Sequence, residues 1–477
     1  MSGNLTIGLI RASLPSYFPE KYDVWSRAQS ALSALCEEES ATLFMAPDIP
    51  MDAQGTQKAL DHCAAAGADF ILLLHGGFSM GDVARTIAAA PVKAGFWSVP
   101  EPVRTGDIQL NNFVSLNMSM SIARQVRDLN QHPVQWYHGA PESAALINRL
   151  RTTIKSLSAV KQLQQARIGV IGGLAMTFYN MEVSTNALRS RIGVEVAHHD
   201  MHELTQRMDA ADSARVAKEL DLIQQAATVE GISDAQMTLQ SRAAVAMQDI
   251  ATENNYAALA VSDWPALQNY PGMHPGAAFT WLEEKYNLPV ASEGDVLGAV
   301  SQLVAKSITG RVGYLLDMTE PDLDAGQLLV WHGGGGPLFL ADDKGARWIN
   351  HPMIGRGTEQ GPIYGAIADL VFQDGPVTVF RVARDASALF QLNCTVAGRD
   401  PDGFTGVRGW LEQFTMQGKS LSLEDLVNTV MAHGLEHHFI LVAGDSSAVL
   451  AEFGSWTGMT TLGARADRGY LCAEDFS

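Results

Sequence analysis

The sequence predicts an α/β protein in which two Rossmann-like α/β domains are followed by a C-terminal β-barrel-like domain. Short apolar runs alternate with helical patterns in the first third of the chain, and the alternation restarts near residue 167. This alternation is typical of parallel sheets built from βαβ units. In the last third, strand-like runs are separated by Gly, Asp and Pro turns without regular helices, which indicates antiparallel pairing. The predicted domains cover residues 1–165, 166–287 and 288–477.

In the first domain, short β-rich runs alternate with helical patterns. Ligands and interfaces gather at the carboxyl ends of the strands in such sheets, so the loops His75–Phe78 and Val99–Pro102 are candidate functional positions. A polar helix over residues 141–165 is predicted to connect this domain to the next. The predicted strands are Thr6–Ile10, Thr42–Met45, Phe70–Leu74 and Ala94–Ser98, and the predicted helices are Asp23–Glu38 and Gln54–Ala66.

The second domain is predicted to begin with the strand Arg167–Ile171, which runs into the turn Gly172-Gly173. A helix-rich stretch then covers residues 208–255. Strands of the second and third domains are recognised by short apolar runs bounded by turn residues. They are predicted at Val194–Ala197, Tyr256–Val261, Leu328–Trp331, Val377–Ala383 and Phe390–Val396.

Composition and charge exclude several classes of function. The 477 residues include 33 Lys and Arg against 52 Asp and Glu, a formal net charge of −19, whereas a nucleic-acid or anionic-membrane partner requires a basic face. No apolar run approaches the ~20 residues that a membrane helix needs, and the N-terminus lacks the features of a signal peptide. The cysteines Cys36, Cys63, Cys394 and Cys472 lie far apart, as in a reducing compartment. We therefore expect a soluble cytoplasmic protein.

Two short motifs are weak indications of function. Gly77–Gly81 matches GxSxG and follows a predicted strand, as a nucleophile elbow does. However, no later Asp and His can be singled out as partners of Ser79, and the two glycines can simply allow a sharp turn. The Gly-Lys-Ser at residues 418–420 lacks the first glycine of a phosphate-binding loop, because that position is Gln413.

Carboxylates follow two other predicted strands. Glu293 and Asp295 follow a short apolar run, where they form either a functional pair or a surface turn in which Asp295 caps the next helix. Asp317 ends a buried-looking strand. An aspartate there is either a turn former or a side chain aimed at a shared site.

A pair of histidines, His437 and His438, lies in the link between a predicted helix and an apolar strand. Ser422–Asp425 resembles a capping box, Leu423–Ala432 has helical periodicity, and Gly434 suits the left-handed position that ends a helix. Such a link is a rigid place from which to present imidazoles. A structural role for either histidine is an open alternative.

Two carboxylates and a histidine form a borderline-to-hard set of metal ligands. The set suits Mn²⁺, Mg²⁺ or Co²⁺ with open positions for substrate oxygens, whereas structural zinc sites prefer thiolates. Bound to neighbouring oxygens of a sugar, such a cation acts as a Lewis acid on developing enediolate charge. A carboxylate beside it can then move a proton between adjacent carbons.

The segment Ala291–Gly298, which contains Glu293-Gly294-Asp295, resembles the metal-site segment of the L-fucose isomerase and L-arabinose isomerase superfamily. A helix ending in Thr309-Gly310 and a strand ending in Asp317 follow it, at a spacing similar to the fucose-isomerase type. His438 resembles the ligand histidine at the start of a late strand, and Trp331-His332-Gly333 resembles a site histidine of arabinose isomerases.

This resemblance implies a metal-dependent aldose–ketose isomerase in which Glu293, Asp317 and His438 bind Mn²⁺, or another divalent cation such as Co²⁺ or Mg²⁺. Glu293 and Asp317 would also form the acid/base pair that moves a proton through a cis-enediol. The resemblance further implies homo-oligomers, often hexamers, whose active sites are completed by a neighbouring subunit. The candidate substrate contacts are His332, His437, Trp264 and Arg11, with Trp410 and Glu436 as further positions near the site.

The substrate stays open at this stage, because the chain is shorter than a typical fucose isomerase and lacks secure counterparts of two of its substrate contacts. One alternative is an isomerase of an anionic sugar, either sulfonated or phosphorylated. Another is a non-catalytic sugar-binding protein of the same fold, since a fold alone does not fix a function.

Overall fold

The computed structural model describes residues 4–128, 133–354, 364–466 and 469–471; Cys472 lies outside them. The chain forms two compact units, Met1–Lys161 and Gln162–Ser477. The division falls within a helix at Ala144–Gln164, where the sequence predicts a polar helix; its role as a connector between domains stays a prediction. The boundary predicted at residue 287 lies inside the second unit and stays a prediction.

The first unit alternates strands and helices, as the sequence predicts, and the predicted strands differ from the observed ones by two residues at most. Asp52 caps the second helix by accepting a hydrogen bond from the Gly55 N–H at 2.7 Å. The elements are β1 Thr6–Ala12, α1 Val24–Glu38, β2 Thr42–Met45, α2 Ala53–Ala65, β3 Phe70–His75, α3 Gly81–Ala89, β4 Lys93–Ser98, α4 Asn112–Val126, β5 Val134–His138 and α5 Ala144–Gln164.

The described strands of the first unit pair in the order β2-β1-β3-β4-β5, and every pairing is parallel. This is a doubly wound order in which the direction of winding reverses between β1 and β3. His75, the last residue of β3, lies opposite Ala12 at that point and is fully buried. Aliphatic and aromatic residues of the strands, such as Ile10, Leu73 and Phe96, form the core with the helices.

The second unit contains a second βα alternation followed by strands that are mostly antiparallel. Its first elements are β6 Arg167–Ile171, α6 Thr185–Ile192, β7 Glu195–His199, α7 Met201–Asp209, α8 Ser213–Ala226, β8 Thr228–Val229, α9 Asp234–Asn254, β9 Ala258–Val261, α10 Ala266–Asn269, β10 Met273–His274, α11 Gly276–Tyr286, β11 Val290–Ala291 and α12 Val296–Thr309. The remaining elements are β12 Tyr314–Asp322, β13 Gln327–His332, β14 Arg347–Asn350, β15 Tyr364–Val371, β16 Gly375–Ala383, β17 Ala388–Val396, β18 Val407–Met416, β19 Lys419–Ser420, α13 Leu423–His433, β20 His438–Ala443, α14 Ser447–Thr457 and β21 Thr460–Thr461.

Two sheets build the second unit. Four described strands form a parallel sheet in the order β11-β9-β6-β7. A larger mixed sheet follows the path β21-β17-β16-β20-β12-β13-β18-β15-β14-β8. Because β17 pairs with both β16 and β18, six of its strands join in a ring. The α/β class and the antiparallel pairing are thus confirmed, whereas the barrel-like form of the last domain stays a prediction.

The prediction that a strand ends at Asp317 is wrong. Strand β12 continues to Asp322, because it pairs with β13 along a hairpin that turns near Gly326. A β-bulge between Met318 and Glu320 interrupts that pairing just after Asp317. Because bulges re-aim side chains beside functional sites, Asp317 remains a candidate site residue although the strand continues past it.

No helix among the described residues has both the length and the apolar character needed to cross a membrane.

Candidate active site

Glu293 lies in the short turn between β11 and α12, at the carboxyl end of the second parallel sheet. Its backbone is left-handed, with φ 62° and ψ 13°, which costs a residue other than glycine about 1–2 kcal/mol. Asp263, just after β9, accepts hydrogen bonds through Oδ1 from the Glu293 N–H (2.6 Å) and the Ser292 hydroxyl (2.9 Å). A carboxylate from the neighbouring strand therefore holds the turn that carries Glu293.

Strand register brings Asp317 and His438 together. Strand β12 lies between β20 and β13, so that Asp317 pairs with His438 on one side and with Trp331 on the other. His332 follows Trp331 at the end of β13. Helix α13 ends at Gly434 in the left-handed conformation, as predicted, and His438 is the first residue of β20.

The imidazole of His438 lies at the centre of the resulting cluster. Its Nε2 is 3.4 Å from Oε2 of Glu293 and 3.8 Å from Oδ1 of Asp317. The same nitrogen is 3.3 Å from Nε2 of His332. Candidate ligand atoms of Glu293, His437 and His438 lie within 4.8 Å of one another, as do those of Asp317, His332 and His438. The structure thus brings together five of the predicted site residues.

The donor set fits a divalent cation. Oδ1 of Asp317 is buried and accepts no hydrogen bond from any described residue. Leaving a buried carboxylate oxygen unsatisfied is costly, so a cation facing it, Glu293 and His438 would stabilise the site. Two carboxylates and an imidazole suit Mn²⁺, Mg²⁺ or Co²⁺ better than a closed structural zinc site.

A buried ion pair supports His438 from behind. Oδ2 of Asp295 lies 3.0 Å from Nδ1 of His438, and Arg381 binds both oxygens of Asp295 at 2.8 and 3.1 Å. The side chains of Asp295 and Arg381 are 0% exposed. Arg381 also donates to the His438 carbonyl (2.9 Å) and pairs with Glu436 (3.3 Å). A carboxylate on the second nitrogen of a ligand histidine fixes its tautomer and orientation.

The predicted capping role of Asp295 is confirmed as well, since its Oδ1 accepts the Gly298 N–H at 2.8 Å at the start of α12. The two roles that the sequence offered as alternatives are therefore combined in one side chain. One oxygen fixes the helix, and the other holds the histidine.

The titratable groups of the cluster differ in the direction of their pKa shifts. Burial works against the charged form of His438, but hydrogen bonds to Asp295 and Glu293 outweigh it and raise the pKa of His438 to about 10. Burial likewise opposes ionisation of Glu293, but His437 and His438 hold its pKa well below the ordinary range. Burial lowers the pKa of His332. The carboxylates thus favour a positive charge at Nε2 of His438. Either a proton or a metal cation can supply that charge.

His437 is the most exposed side chain of the cluster, and two aromatic rings lie beside it. The His437 side chain is 37% exposed; its Nδ1 accepts a hydrogen bond from the Asn180 amide (3.0 Å), so Nε2 donates to Glu293 (3.3 Å). The ring of Phe178 lies 5.3 Å from His437 and 5.8 Å from Trp264, measured between centroids. Trp264 thus lies next to Phe178, which contacts His437, and these three rings are called the rim below.

The remaining predicted positions lie elsewhere. Arg11 belongs to the first unit, where it donates to the carbonyls of Ala46 (3.3 Å) and Pro47 (3.1 Å), and its role toward a substrate stays a prediction. Trp410 donates to the Pro401 carbonyl and lies under the Arg399 guanidinium, 4.1 Å from the ring centroid.

Ser79 does not form a nucleophile elbow. Its hydroxyl is buried and lies 2.8 Å from Nδ1 of His75, whose Nε2 is 3.1 Å from the Ser119 hydroxyl. Five residues separate β3 from α3, so the strand-to-helix turn is not sharp. The motif therefore belongs to a hydroxyl–imidazole network in the core.

Sequence reasoning missed several residues that support the cluster. Asp263 and Arg381 follow or interrupt apolar strands, and nothing in their neighbourhood marks them as partners of residues far along the chain. Asn180 lies in the short 3-10 helix Tyr179–Met181 between β6 and α6. Gly334, whose N–H donates to Nδ1 of His332 (2.7 Å), belongs to the glycine run Gly333–Gly336. The one available signal was a charged residue inside an otherwise apolar strand, as at Arg381.

Comparison with known proteins indicates which activity the chain has. No protein-family model matches the chain. It is 28% identical over 363 residues to a sulfoquinovose isomerase of Alkalicoccus urumqiensis, an alignment that covers 75% of this chain and 77% of that protein. A sulfoquinovose isomerase of Priestia megaterium is 25% identical over 368 residues, which cover 76% and 78% of the two chains. A protein of the same name from a Clostridium species is 26% identical over 357 residues, or 73% and 75%.

The chain is an isomerase. The similarity supports a sugar isomerase of the kind that the fucose- and arabinose-isomerase resemblance implies, and it leaves a purely sugar-binding protein without support. Substrate and cofactor are taken up below.

Proposed function

We propose that this protein is a divalent-metal-dependent aldose–ketose isomerase that acts on a sulfonated sugar. The observation that carries the reaction type is the position of Glu293 and Asp317 beside Nε2 of His438, together with the unsatisfied oxygen of Asp317. The similarity to proteins named sulfoquinovose isomerase supports the sulfonated substrate over a neutral aldose such as L-fucose.

Glu293, Asp317 and His438 would hold the cation, with Mn²⁺ as the first candidate and Co²⁺ or Mg²⁺ as alternatives. When bound there, it supplies a Lewis acid for the carbonyl and hydroxyl oxygens of the open-chain sugar. Asp295 keeps the proton of His438 on Nδ1, so Nε2 presents its lone pair to the cluster.

Glu293 and Asp317 would move the proton. The low pKa of Glu293 keeps its carboxylate ionised, the form that can accept the proton from carbon 2 of the aldose. The electron pair of that bond forms the cis-enediol. Return of a proton to carbon 1, with transfer of the hydroxyl proton between the two oxygens, gives the ketose. The two carboxylates thus handle one proton on carbon and one on oxygen.

The rim would orient the sugar. The rim consists of His437, Phe178 and Trp264. An imidazole and aromatic rings suit a polar ligand that also has apolar faces. Arg11 of a neighbouring subunit stays a candidate for an anionic or hydroxyl contact, under the proposal that the protein is a homo-oligomer, possibly a hexamer, with shared sites.

The test is an isomerisation assay with metal-stripped and Mn²⁺-restored protein. The panel pairs sulfoquinovose with glucose as the neutral hexose, and adds L-fucose, L-arabinose and D-arabinose. We expect metal-dependent ketose formation from sulfoquinovose, with kcat/KM at least about 100-fold above that for glucose, because a site that binds an anion loses that contact with the neutral sugar.

Ketose formation from a neutral sugar alone would refute the substrate class and leave the reaction standing. Turnover that is unaffected by chelation and by Mn²⁺ would refute the metal dependence. Glu293→Gln is the matched variant for the base, since it keeps the size and polarity of the side chain and removes its basicity.

A further inference from the structure

The turn between β16 and β17 has an unusual backbone. Arg384, Asp385 and Ala386 follow one another with φ of 53°, 54° and 58°, and none of them is glycine. This left-handed conformation is unfavourable for L-residues, and glycine or asparagine would close a hairpin at less cost. Such strain persists only where the surrounding structure imposes it, and it gathers at functional sites. The cause must lie in what the turn contacts.

The turn is bound to helix α6. Nη1 of Arg191 donates to the carbonyls of Asp385 (2.8 Å) and Arg384 (3.3 Å). In the described part of the chain, Arg191 makes no other hydrogen bond. Oδ1 of Asp385 accepts the N–H of Ser184 (2.8 Å), the residue whose hydroxyl caps α6. Both ends of α6 thus hold the turn.

The same turn is bound to the link between α13 and β20, residues 434–437. The Arg384 N–H donates to Oε1 of Glu436 (3.1 Å). The Arg384 guanidinium donates to the carbonyl of His433 (2.7 Å), the last residue of α13. Glu436 is 8% exposed and directly precedes His437. The turn therefore holds the link where it begins and again beside His437.

The two segments that the turn joins meet again at the rim. The segment between β6 and α6 carries Phe178 and Asn180. The Asn180 amide donates to Nδ1 of His437 (3.0 Å), and the centroids of Phe178 and His437 are 5.3 Å apart. Thr177, beside Phe178, has φ 76°, an outlier for a β-branched residue. The link is thus held twice by neighbouring parts of the same segment.

We propose that the turn at residues 384–386 positions His437 for the sugar. Because it ties α6 to the link, His437 cannot move away from Phe178 without breaking contacts of the turn. Among the described residues, no hydrogen bond or ion pair joins the turn to the three proposed metal ligands. The turn should therefore act on substrate binding and not on the cation. This role rests on the proposed function, in which His437 contacts the substrate.

The first test compares two arginines of α6 in the full-length protein without sugar. Arg191→Ala removes both bonds to the turn carbonyls, whereas Arg189→Ala removes an ion pair with Glu195 and leaves the turn intact. Hydrogen exchange of a peptide that covers residues 434–437 should become at least about fivefold faster in Arg191→Ala, because the link loses part of its support. In Arg189→Ala it should stay within about twofold of the unaltered protein. Equal exchange of this peptide in the two variants would overturn the proposal.

The second test distinguishes positioning from a general loss of stability. With Mn²⁺ and sulfoquinovose, Arg191→Ala should raise KM at least about fivefold and leave kcat within about twofold, because a displaced substrate contact weakens the ground state and the transition state alike. Arg191→Lys keeps a donor for the carbonyls and should restore KM to within about twofold.

The Mn²⁺ dissociation constant of Arg191→Ala, measured by calorimetry, should change by less than about twofold. A fall in kcat or in Mn²⁺ affinity with an unchanged KM would refute the positioning of His437. The exchange test needs no turnover, so it decides whether the turn holds the link even if no sugar in the panel yields ketose, which would refute the proposed function alone.

Discussion

Two buried histidines, one in each compact unit, show how partners decide what a buried imidazole does. His75 and His438 are both 0% exposed, and both lie at an end of a strand. His75 contacts the hydroxyls of Ser79 and Ser119, and burial lowers its pKa to about 3. His438 contacts carboxylates that raise its pKa to about 10 in spite of the same burial.

The difference teaches that burial alone says little about function. Hydroxyls satisfy both nitrogens of His75 while leaving it neutral, so the site is closed and needs nothing further. The carboxylates around His438 leave an excess of negative charge and an unpartnered oxygen, which only a cation or a proton relieves. The first is a structural network and the second a candidate active site, although both began as short motifs in the sequence.

The largest expected effect separates the two histidines directly. His438→Gln should lower kcat at least about 1,000-fold, because it removes the nitrogen proposed to hold the cation. His75→Gln should leave kcat within about threefold, since a buried amide can bond the same hydroxyls. Steady-state assays with Mn²⁺, with circular dichroism to establish folding, check the contrast. Equal losses in two folded variants would contradict it.

The second prediction compares ion pairs of the two units. Arg381→Met should lower the free energy of unfolding by about 3–5 kcal/mol, because it removes the buried cation that pairs with the carboxylates of Asp295 and Glu436. Arg27→Met breaks the pair with Glu142, in which the side chains are 45% and 55% exposed, and should cost less than about 1 kcal/mol. Urea denaturation of both variants measures the difference, and a small loss in Arg381→Met would refute the buried network.

The pH dependence of the two sites should have opposite signs. Because the pKa of His75 is depressed to about 3, the unfolded chain binds the proton more readily, and the first unit loses stability as pH falls from about 6.5 toward 3. In metal-free protein the raised pKa of His438 gives a stabilising contribution below about pH 6.5 that is lost as pH rises through about 10.

Each contribution should amount to about 2–4 kcal/mol. Hydrogen exchange of peptides from β3 and from β20, followed between pH 4 and 9 and corrected for the intrinsic exchange rate, measures the two signs separately. His75→Leu should flatten the dependence in β3 and leave that of β20 unchanged. A parallel response in both peptides would contradict the contrast.

The smallest expected effect concerns the turn that carries Glu293. Asp263→Asn should lower Mn²⁺ affinity or kcat about 10- to 100-fold, since the amide holds the Glu293 N–H and the Ser292 hydroxyl less firmly. Asp445→Asn is the matched control, because Asp445 also accepts the N–H of a turn, that of Ser447, beyond the other end of β20. That variant should retain full activity. Equal behaviour of the two variants would mean that Asp263 has no special role.

The sequence predicted well what depends on local chemistry. Asp295 caps α12 and Gly434 ends α13, because caps are decided by side chains and backbone within one turn. The strand Thr42–Met45 is found as predicted, since its apolar run is bounded by turns. The residues of the cluster were also predicted, because the short motifs around them resemble those of a known isomerase superfamily.

What depends on distant pairing could not be predicted. The strand was expected to end at Asp317, but β12 continues because β13 supplies hydrogen bonds as far as Asp322. Arg381 is an internal residue of an apolar strand, and its acceptor Asp295 is 86 residues away. The contact from Asp263 to Glu293 requires knowing that β9 and β11 are neighbours, which no local pattern states. The ring of strands closes through the pairing between β17 and β18, and the predicted barrel-like domain did not specify which strands would close it.

The contact between Asp295 and His438 joins residues that are 143 positions apart, and this has a consequence for synthesis of the chain. On the ribosome, Glu293, Asp295 and Asp317 emerge long before the strand that begins at His438. Until then Asp295 lacks its histidine, Arg381 has no carbonyl of His438 to bind, and β12 lacks one of its two neighbours. The cluster is therefore complete only when its last strand has been added.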